Sequence, residues 1–280
     1  MAGLFGFLDF TKEGPGIEKD GPKKKVVFVF AETFLRNFWR FIIINVVYCC
    51  LSLPLVTSGM AAAGLTNVTR NIARDKHSFG LSDFFDTIRK NWKQSLLVGI
   101  INTIITVFIG FAIYSYISSY IHFETQRMFY LAGFAVSAVV AAIFLMMQFY
   151  MYTLMITFSF STKTLYINSF KFVFITLWKN VLCGILLLAT YGVYAGIFVI
   201  SVYTVPNHCL AVLFIEIIVA VLTLPAFQYL LIQFFTFGNI KKHIIDPYYA
   251  EHPDADIEKR RDLGLEIPED DDEDDDISWE

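Results

Sequence analysis

The residues that could carry chemistry are ionisable and amide side chains placed inside long apolar stretches. Glu216 lies in the apolar stretch from Cys209 to Phe237, and an ionisable group inside a membrane span is a functional candidate because burying its charge is costly. Its position also allows it to reach the outer headgroups, or to pair with Arg127 or His208. Amides in other apolar stretches are candidates for an intramembrane polar site, or for hydrogen bonds between helices. These amides are Asn45, Asn102, Gln148 and Gln228.

No motif of a catalytic, cofactor or metal site is present. The five histidines are scattered without ligand spacing, and the four cysteines contain no CxxC pair. The phosphate-loop, zinc-protease and serine-hydrolase motifs are absent. The basic residues do not belong to a soluble nucleic-acid-binding fold. We therefore expect no enzyme activity, no cofactor, no metal and no nucleic-acid partner.

The composition predicts a membrane protein. Hydrophobic residues make up 56% of the 280 residues, charged residues make up 17%, and the mean hydropathy is +0.55. Soluble domains carry about 25% charged residues, so lipid has to be the solvent for much of this chain. We predict an all-α, polytopic membrane helix bundle with five to six membrane segments and cytoplasmic amphipathic helices.

The net charge of −4 hides two parts of opposite sign. Ten acidic residues lie within positions 266–280, which leaves 22 basic against 16 acidic residues in the rest of the chain. Positive charge marks the cytoplasmic ends of spans. We therefore predict a multi-pass membrane protein with a cytoplasmic C-terminus and a cytoplasmic N-terminus.

Three regions follow from the distribution of charge. We predict a cytoplasmic N-terminal segment at 1–25, a membrane domain at 26–240 and a disordered acidic cytoplasmic tail at 241–280. Within the membrane domain, basic residues lie on both sides of the uncharged run from Phe41 to Thr69. That run is either one span or, as we prefer, a hairpin bent at Pro54–Gly59. The predicted segments are this bent hairpin (26–75) and spans at 95–117, 131–161, 180–206 and 209–237.

The polar passage between the hairpin and the next span contains an amphipathic pattern. The apolar residues from Leu81 to Trp92 fall on one face of a helix, and we predict that this helix lies in the cytoplasm against the membrane or a partner. A second aromatic segment precedes the span at 180–206. The candidate partner-docking residues in the two segments are Phe84, Phe85, Ile88, Trp92, Phe170, Phe174 and Trp178.

Three stretches together resemble one family of bacterial integral membrane proteins. They are FGFLDFTKEGPGIEKD at 5–20, LPLVTSGMAAAGL at 53–65 and RNIARDKHSFGLSDFFDTIRKNWKQ at 70–94. Their pattern is similar to the YesL-type, DUF624 family, and the likeness covers roughly residues 1–240. The resemblance implies a location in the plasma membrane of a Gram-positive bacterium. It also implies a context of sugar uptake, because members of this family are commonly encoded beside carbohydrate ABC importers and glycoside hydrolases, and it carries no catalytic residues to this chain.

The expected function is that of a non-catalytic accessory subunit of a carbohydrate ABC importer. Its partners would be the permease or the ATPase subunits as well as the lipid bilayer. The loop at 59–94 lacks the EAA-type coupling motif of sugar permeases, so the chain is not expected to be the permease itself. The alternative is a self-contained transporter or channel for a small molecule.

Overall fold

The computed structural model describes residues 26–76, 78–204 and 209–252, and in these ranges the chain is helical without strands. The N-terminal segment at 1–25 and most of the acidic tail lie outside the described residues. The α-helices are α1 (Val26–Arg36), α2 (Phe38–Ser52), α3 (Ser58–Ala73), α4 (Leu81–His122), α5 (Arg127–Thr157), α6 (Thr162–Ile175), α7 (Leu177–Thr204), α8 (Cys209–Ile240) and α9 (Asp246–Glu251).

Four helices in the described ranges are long and apolar enough to cross a membrane, namely α4, α5, α7 and α8 together with their short extensions. A fifth span results if α1 and α2 are counted as one segment bent by 73°. The bend lies at Asn37, whose side-chain amide donates to the Thr33 carbonyl oxygen at 2.9 Å. Such a side-chain bond competes with the helical backbone pattern. The chain is thus an all-α polytopic bundle, as predicted, with a break at Asn37 inside the predicted first helix.

A turn separates α2 from α3 at the position where the sequence predicted one. Pro54 cannot continue a helix, and a single 3₁₀ turn at Leu55–Thr57 follows it. The hydroxyl group of Thr57 donates to the Leu51 carbonyl oxygen and so covers the end of α2. Whether α2 and α3 cross the lipid as a hairpin stays a prediction, because α3 has only 16 residues, about 24 Å of helix.

The core of the molecule lies around α3. Ten of its 16 residues are buried, and most of them are small. Gly59 of α3 meets Gly99 of α4 so closely that a Cβ atom on Gly59 would lie 2.6 Å from the Gly99 Cα atom. Gly64 receives the ring of Phe84. Close backbone approach through small residues is the usual way in which helices associate in lipid.

Helix α4 is longer than the sequence suggested. The amphipathic segment at 81–92 and the span at 95–117 were predicted as two elements, but they form one helix of 42 residues. Gly80 precedes it with a φ of +64°, and Asp83 accepts from the backbone N–H of Phe79 at 3.0 Å. That carboxylate satisfies a free donor at the helix start, which favours a single, well-defined beginning at Leu81.

At the other end of the chain, helix extends past the predicted boundary of the tail. A π-helical turn at Lys241–Ile245 and α9 follow α8 directly. Ile245 and Tyr249 are buried in the core. The tail predicted to begin at 241 is therefore helical to Glu251.

Candidate functional site

A cavity of about 580 Å³ lies between α2, α3, α5, α7 and α8. Its walls are mostly aliphatic and aromatic, and they carry uncharged polar side chains only. A cavity of this size, with a few polar groups in an apolar wall, is the usual form of a small-molecule site. The polar lining residues are Tyr48, Ser58, Thr66, Gln148, Tyr152, Thr153, Tyr191, Gln228, Tyr229 and Gln233.

The structure brings two of the predicted intramembrane polar residues, Gln148 and Gln228, into this cavity. Gln228 connects α8 to α7, because its Oε1 atom accepts from the Tyr191 hydroxyl group at 3.1 Å and its Nε2 atom donates to the Thr190 hydroxyl group at 3.2 Å. Deeper in the cavity, Nε2 of Gln233 donates to the Thr153 hydroxyl group at 2.9 Å. Gln228 and Gln233 are thus each oriented by hydrogen bonds to a neighbouring helix.

Gln148 also belongs to a second polar group, which includes Asn102. Asn102 itself does not line the cavity. Nδ2 of Asn102 donates to Oε1 of Gln148 at 2.8 Å, and its Oδ1 atom accepts from the Tyr166 hydroxyl group at 2.7 Å. Burial raises the pKa of Tyr166, so this hydroxyl group stays protonated and able to donate at neutral pH. Nε2 of Gln148 is buried and has no hydrogen-bond partner within the described ranges.

Asn45 does not line the cavity and has a structural role next to Pro225 in α8. Pro225 lies inside that helix, where it removes a backbone donor. Nδ2 of Asn45 donates to the Leu222 carbonyl oxygen and Oδ1 accepts from the Ala226 N–H, both at 2.8 Å. In an unbroken helix those two backbone groups would bond to each other. The thiol of Cys49, one turn further along α2, lies 3.8 Å from the Val221 carbonyl oxygen that Pro225 leaves without its donor.

Glu216 lies in the N-terminal part of α8 and does not line the cavity. Both of its carboxyl oxygens are buried, and neither has a hydrogen-bond partner among the residues that the structure describes. Arg127, one of its expected partners, instead forms an ion pair of 3.3 Å with Glu124. His208 lies outside the described residues. Of the five predicted polar residues, the cavity thus gathers only Gln148 and Gln228.

The predicted docking residues divide into buried and exposed members. Phe84 is fully buried against Gly64, so its assignment to a docking face is wrong, and Ile88 is half-buried. The segment is helical with its apolar residues on one face, as the spacing predicted, but α3 covers part of that face. The members that remain exposed form what we call the aromatic surface: Phe85 (41%), Trp92 (49%), Phe170 (47%), Phe174 (53%) and Trp178 (85%).

Several arginine and lysine side chains contact the helix ends that lie on the same side of the bundle as the aromatic surface. The Arg70 guanidinium group donates to the hydroxyl group of Thr157 at the end of α5, at 2.7 Å. Arg74 lies over the ring of Phe237, near the end of α8, at 4.5 Å. Nζ of Lys179 donates to Asn239 at 2.8 Å. One end of the molecule is therefore basic, and its cytoplasmic location remains a prediction of the positive-inside rule.

Sequence reasoning missed the tyrosines of the cavity and a buried network beside it. The Tyr150 hydroxyl group donates to Oδ1 of Asn180 at 2.6 Å and lies 2.7 Å from the hydroxyl group of Thr176. A usable signal existed, because tyrosines in spans usually lie at the membrane interfaces. Tyr150 and Tyr191 instead lie well inside apolar stretches. No cluster of three or more potential metal ligands occurs in the described parts of the chain.

Comparison with known families yields one match. Residues 41–115 match the model of a family described as DUF624, a protein of unknown function. The matched segment is a little over a quarter of the chain and contains most of α2, all of α3 and most of α4. The resemblance seen in the sequence is therefore confirmed for the part of the molecule around the Gly59–Gly99 contact. No curated protein and no solved structure matches the chain.

Proposed function

We propose that the protein is a non-catalytic membrane accessory subunit that docks on a carbohydrate ABC importer and assists or regulates sugar uptake. The observation that supports this proposal is the aromatic surface, which exposes Trp92, Phe174 and Trp178 at the basic end of the molecule. Large exposed apolar side chains are candidates for an interaction site, and tryptophan is enriched where binding energy is concentrated.

Lipid headgroups would also suit exposed tryptophans, so the test must separate a protein partner from the bilayer. A photoreactive amino acid is introduced at Trp178 in cells that express the importer, and the adducts are identified by mass spectrometry. We expect adducts with the permease or the ATPase subunit. Phe129, which is 69% exposed at the opposite end of the molecule, is the matched control site. Adducts with lipid alone, or equal adducts from both sites, would contradict the docking proposal.

The second candidate is a self-contained transporter, and the cavity with its oriented glutamines is the observation that favours it. This candidate predicts flux of a small solute into liposomes that contain the purified protein alone. Gln228→Leu removes the contacts with Tyr191 and Thr190 and should reduce that flux at least several-fold, while Val46→Leu on the surface of α2 should not. An accessory subunit shows no flux in this assay, and absence of flux in the unaltered protein would count against transport.

A further inference from the structure

We propose that the cavity between α5, α7 and α8 is a binding site for a neutral lipid, a molecule with a long hydrocarbon chain and an uncharged headgroup that bears hydroxyl groups. The inference rests on neither proposed function, because it concerns what occupies the cavity and not what docks on the protein or crosses the membrane.

The opening of the cavity indicates entry from the bilayer. Its rim contains Leu145 on α5 and Ile185 and Leu188 on α7, and these side chains are 60%, 57% and 70% exposed. Exposed aliphatic side chains halfway along two spanning helices face hydrocarbon and not water. A ligand that enters between α5 and α7 therefore has to be soluble in the membrane, which does not apply to a free sugar.

The charge of the lining indicates which lipid is accepted. No acidic or basic side chain lines the cavity among the described residues, and an ionised phosphate buried there would lack a counter-charge. The hydroxyl groups of an uncharged headgroup, by contrast, would find hydrogen-bond partners in the cavity. The Tyr191 hydroxyl group donates to Gln228 and keeps its oxygen free to accept, and the Gln228 amide nitrogen has a second N–H beyond the one used by Thr190.

The size of the cavity is compatible with one hydrocarbon chain. About 10–15 Å³ of such water-accessible space is enough to hold one water molecule, so about 580 Å³ leaves ample room for a hydrocarbon chain and a small headgroup. Gly184 contributes to this space, because a Cβ atom at that position would have no heavy atom within 4 Å. A large side chain at 184 would therefore occupy the cavity without a clash at its base.

The test uses the full chain in lipid nanodiscs that contain a diacylglycerol with a photoreactive acyl chain. The comparison probe is phosphatidylglycerol with the same photoreactive chain. After illumination, adducts are mapped by mass spectrometry. We expect diacylglycerol adducts on cavity residues such as Met146 and Ile232, at least five-fold above those of phosphatidylglycerol. Gly184→Trp should reduce the cavity adducts at least five-fold.

The matched control is Gly196→Trp on the same helix, where a Cβ atom also has no neighbour within 4 Å and which does not line the cavity; it should leave the adducts unchanged. Gly184→Leu replaces Gly184→Trp if the larger side chain prevents folding. Equal labelling by both lipids would overturn the choice of a neutral headgroup. Cavity adducts that Gly184→Trp leaves intact, or that a disaccharide in the buffer competes away, would overturn the lipid site itself.

Discussion

The side chain of Asn45 should stabilise the folded protein chiefly because Pro225 removes a backbone hydrogen-bond donor from α8. Its amide forms two hydrogen bonds of 2.8 Å to the backbone of α8, and Asn45 is completely buried. Hydrogen bonds between membrane helices contribute about 0.6 kcal/mol on average and about 1.7 kcal/mol at most. Two such bonds, on backbone groups that have no alternative partner in lipid, predict that Asn45→Leu lowers the free energy of unfolding by about 1–3 kcal/mol.

Removal of the proline should cancel most of this effect. In Pro225→Ala, residue 225 regains an N–H for the Val221 carbonyl oxygen, and Ala226 and Leu222 can bond to each other as in a regular helix. Asn45→Leu in this background should therefore be at least about 1 kcal/mol less destabilising than in the original chain, which is the size of coupling expected for groups in direct contact.

The assay is reversible unfolding in mixed detergent micelles, followed by circular dichroism, for the four members of the cycle. Val46→Leu, on an exposed neighbouring position of α2, is the control and should change the free energy of unfolding by less than about 0.5 kcal/mol. Our reasoning would be refuted if the effects of Asn45→Leu and Pro225→Ala added up within about 0.5 kcal/mol.

Three further predictions concern packing, topology and the buried carboxyl group. Gly99→Ala should lower the free energy of unfolding by about 1–3 kcal/mol, since its Cβ atom would lie 2.7 Å from backbone of the facing helix, whereas Gly110→Ala, with open space, should not lower it. In a chain without native cysteines, a cysteine introduced at Lys90 should resist an impermeant thiol reagent on intact cells and one at Glu124 should react; labelling at both sites or the reverse pattern would refute the predicted orientation. Glu216→Leu should raise the thermal unfolding temperature because it removes a buried ionisable group; a lower temperature would show that a partner holds the carboxylate.

The sequence predicted the elements of this fold better than their contacts. Apolar stretches of the right length located the spanning helices, and the small residues of α3 indicated close packing, because both properties are local. The period that placed Phe84 and Phe85 in one apolar pattern could not tell which of them faces α3, since that depends on Gly64 in another helix. The break at Asn37 was missed because no proline or glycine marks it in the sequence.

The candidate site could be predicted only in part for a similar reason. Amides inside apolar stretches are visible in the sequence, and two of them do line the cavity. Their grouping depends on five helices that meet in space, and a single sequence does not specify which faces meet. Asn45 and Gln148 have the same side-chain chemistry in similar surroundings. Asn45 nevertheless forms hydrogen bonds with the backbone next to Pro225, whereas Gln148 contributes to a cavity wall.

The uninterrupted course of α4 has a mechanical consequence. With 42 residues it is about 63 Å long, roughly twice the thickness of the hydrocarbon layer. No proline or 3₁₀ turn occurs along it, so the helix runs without a break from Leu81 to His122. It therefore joins Phe85 and His122, near opposite ends of the molecule, in one continuous element, and a tilt of this helix would displace both ends at once.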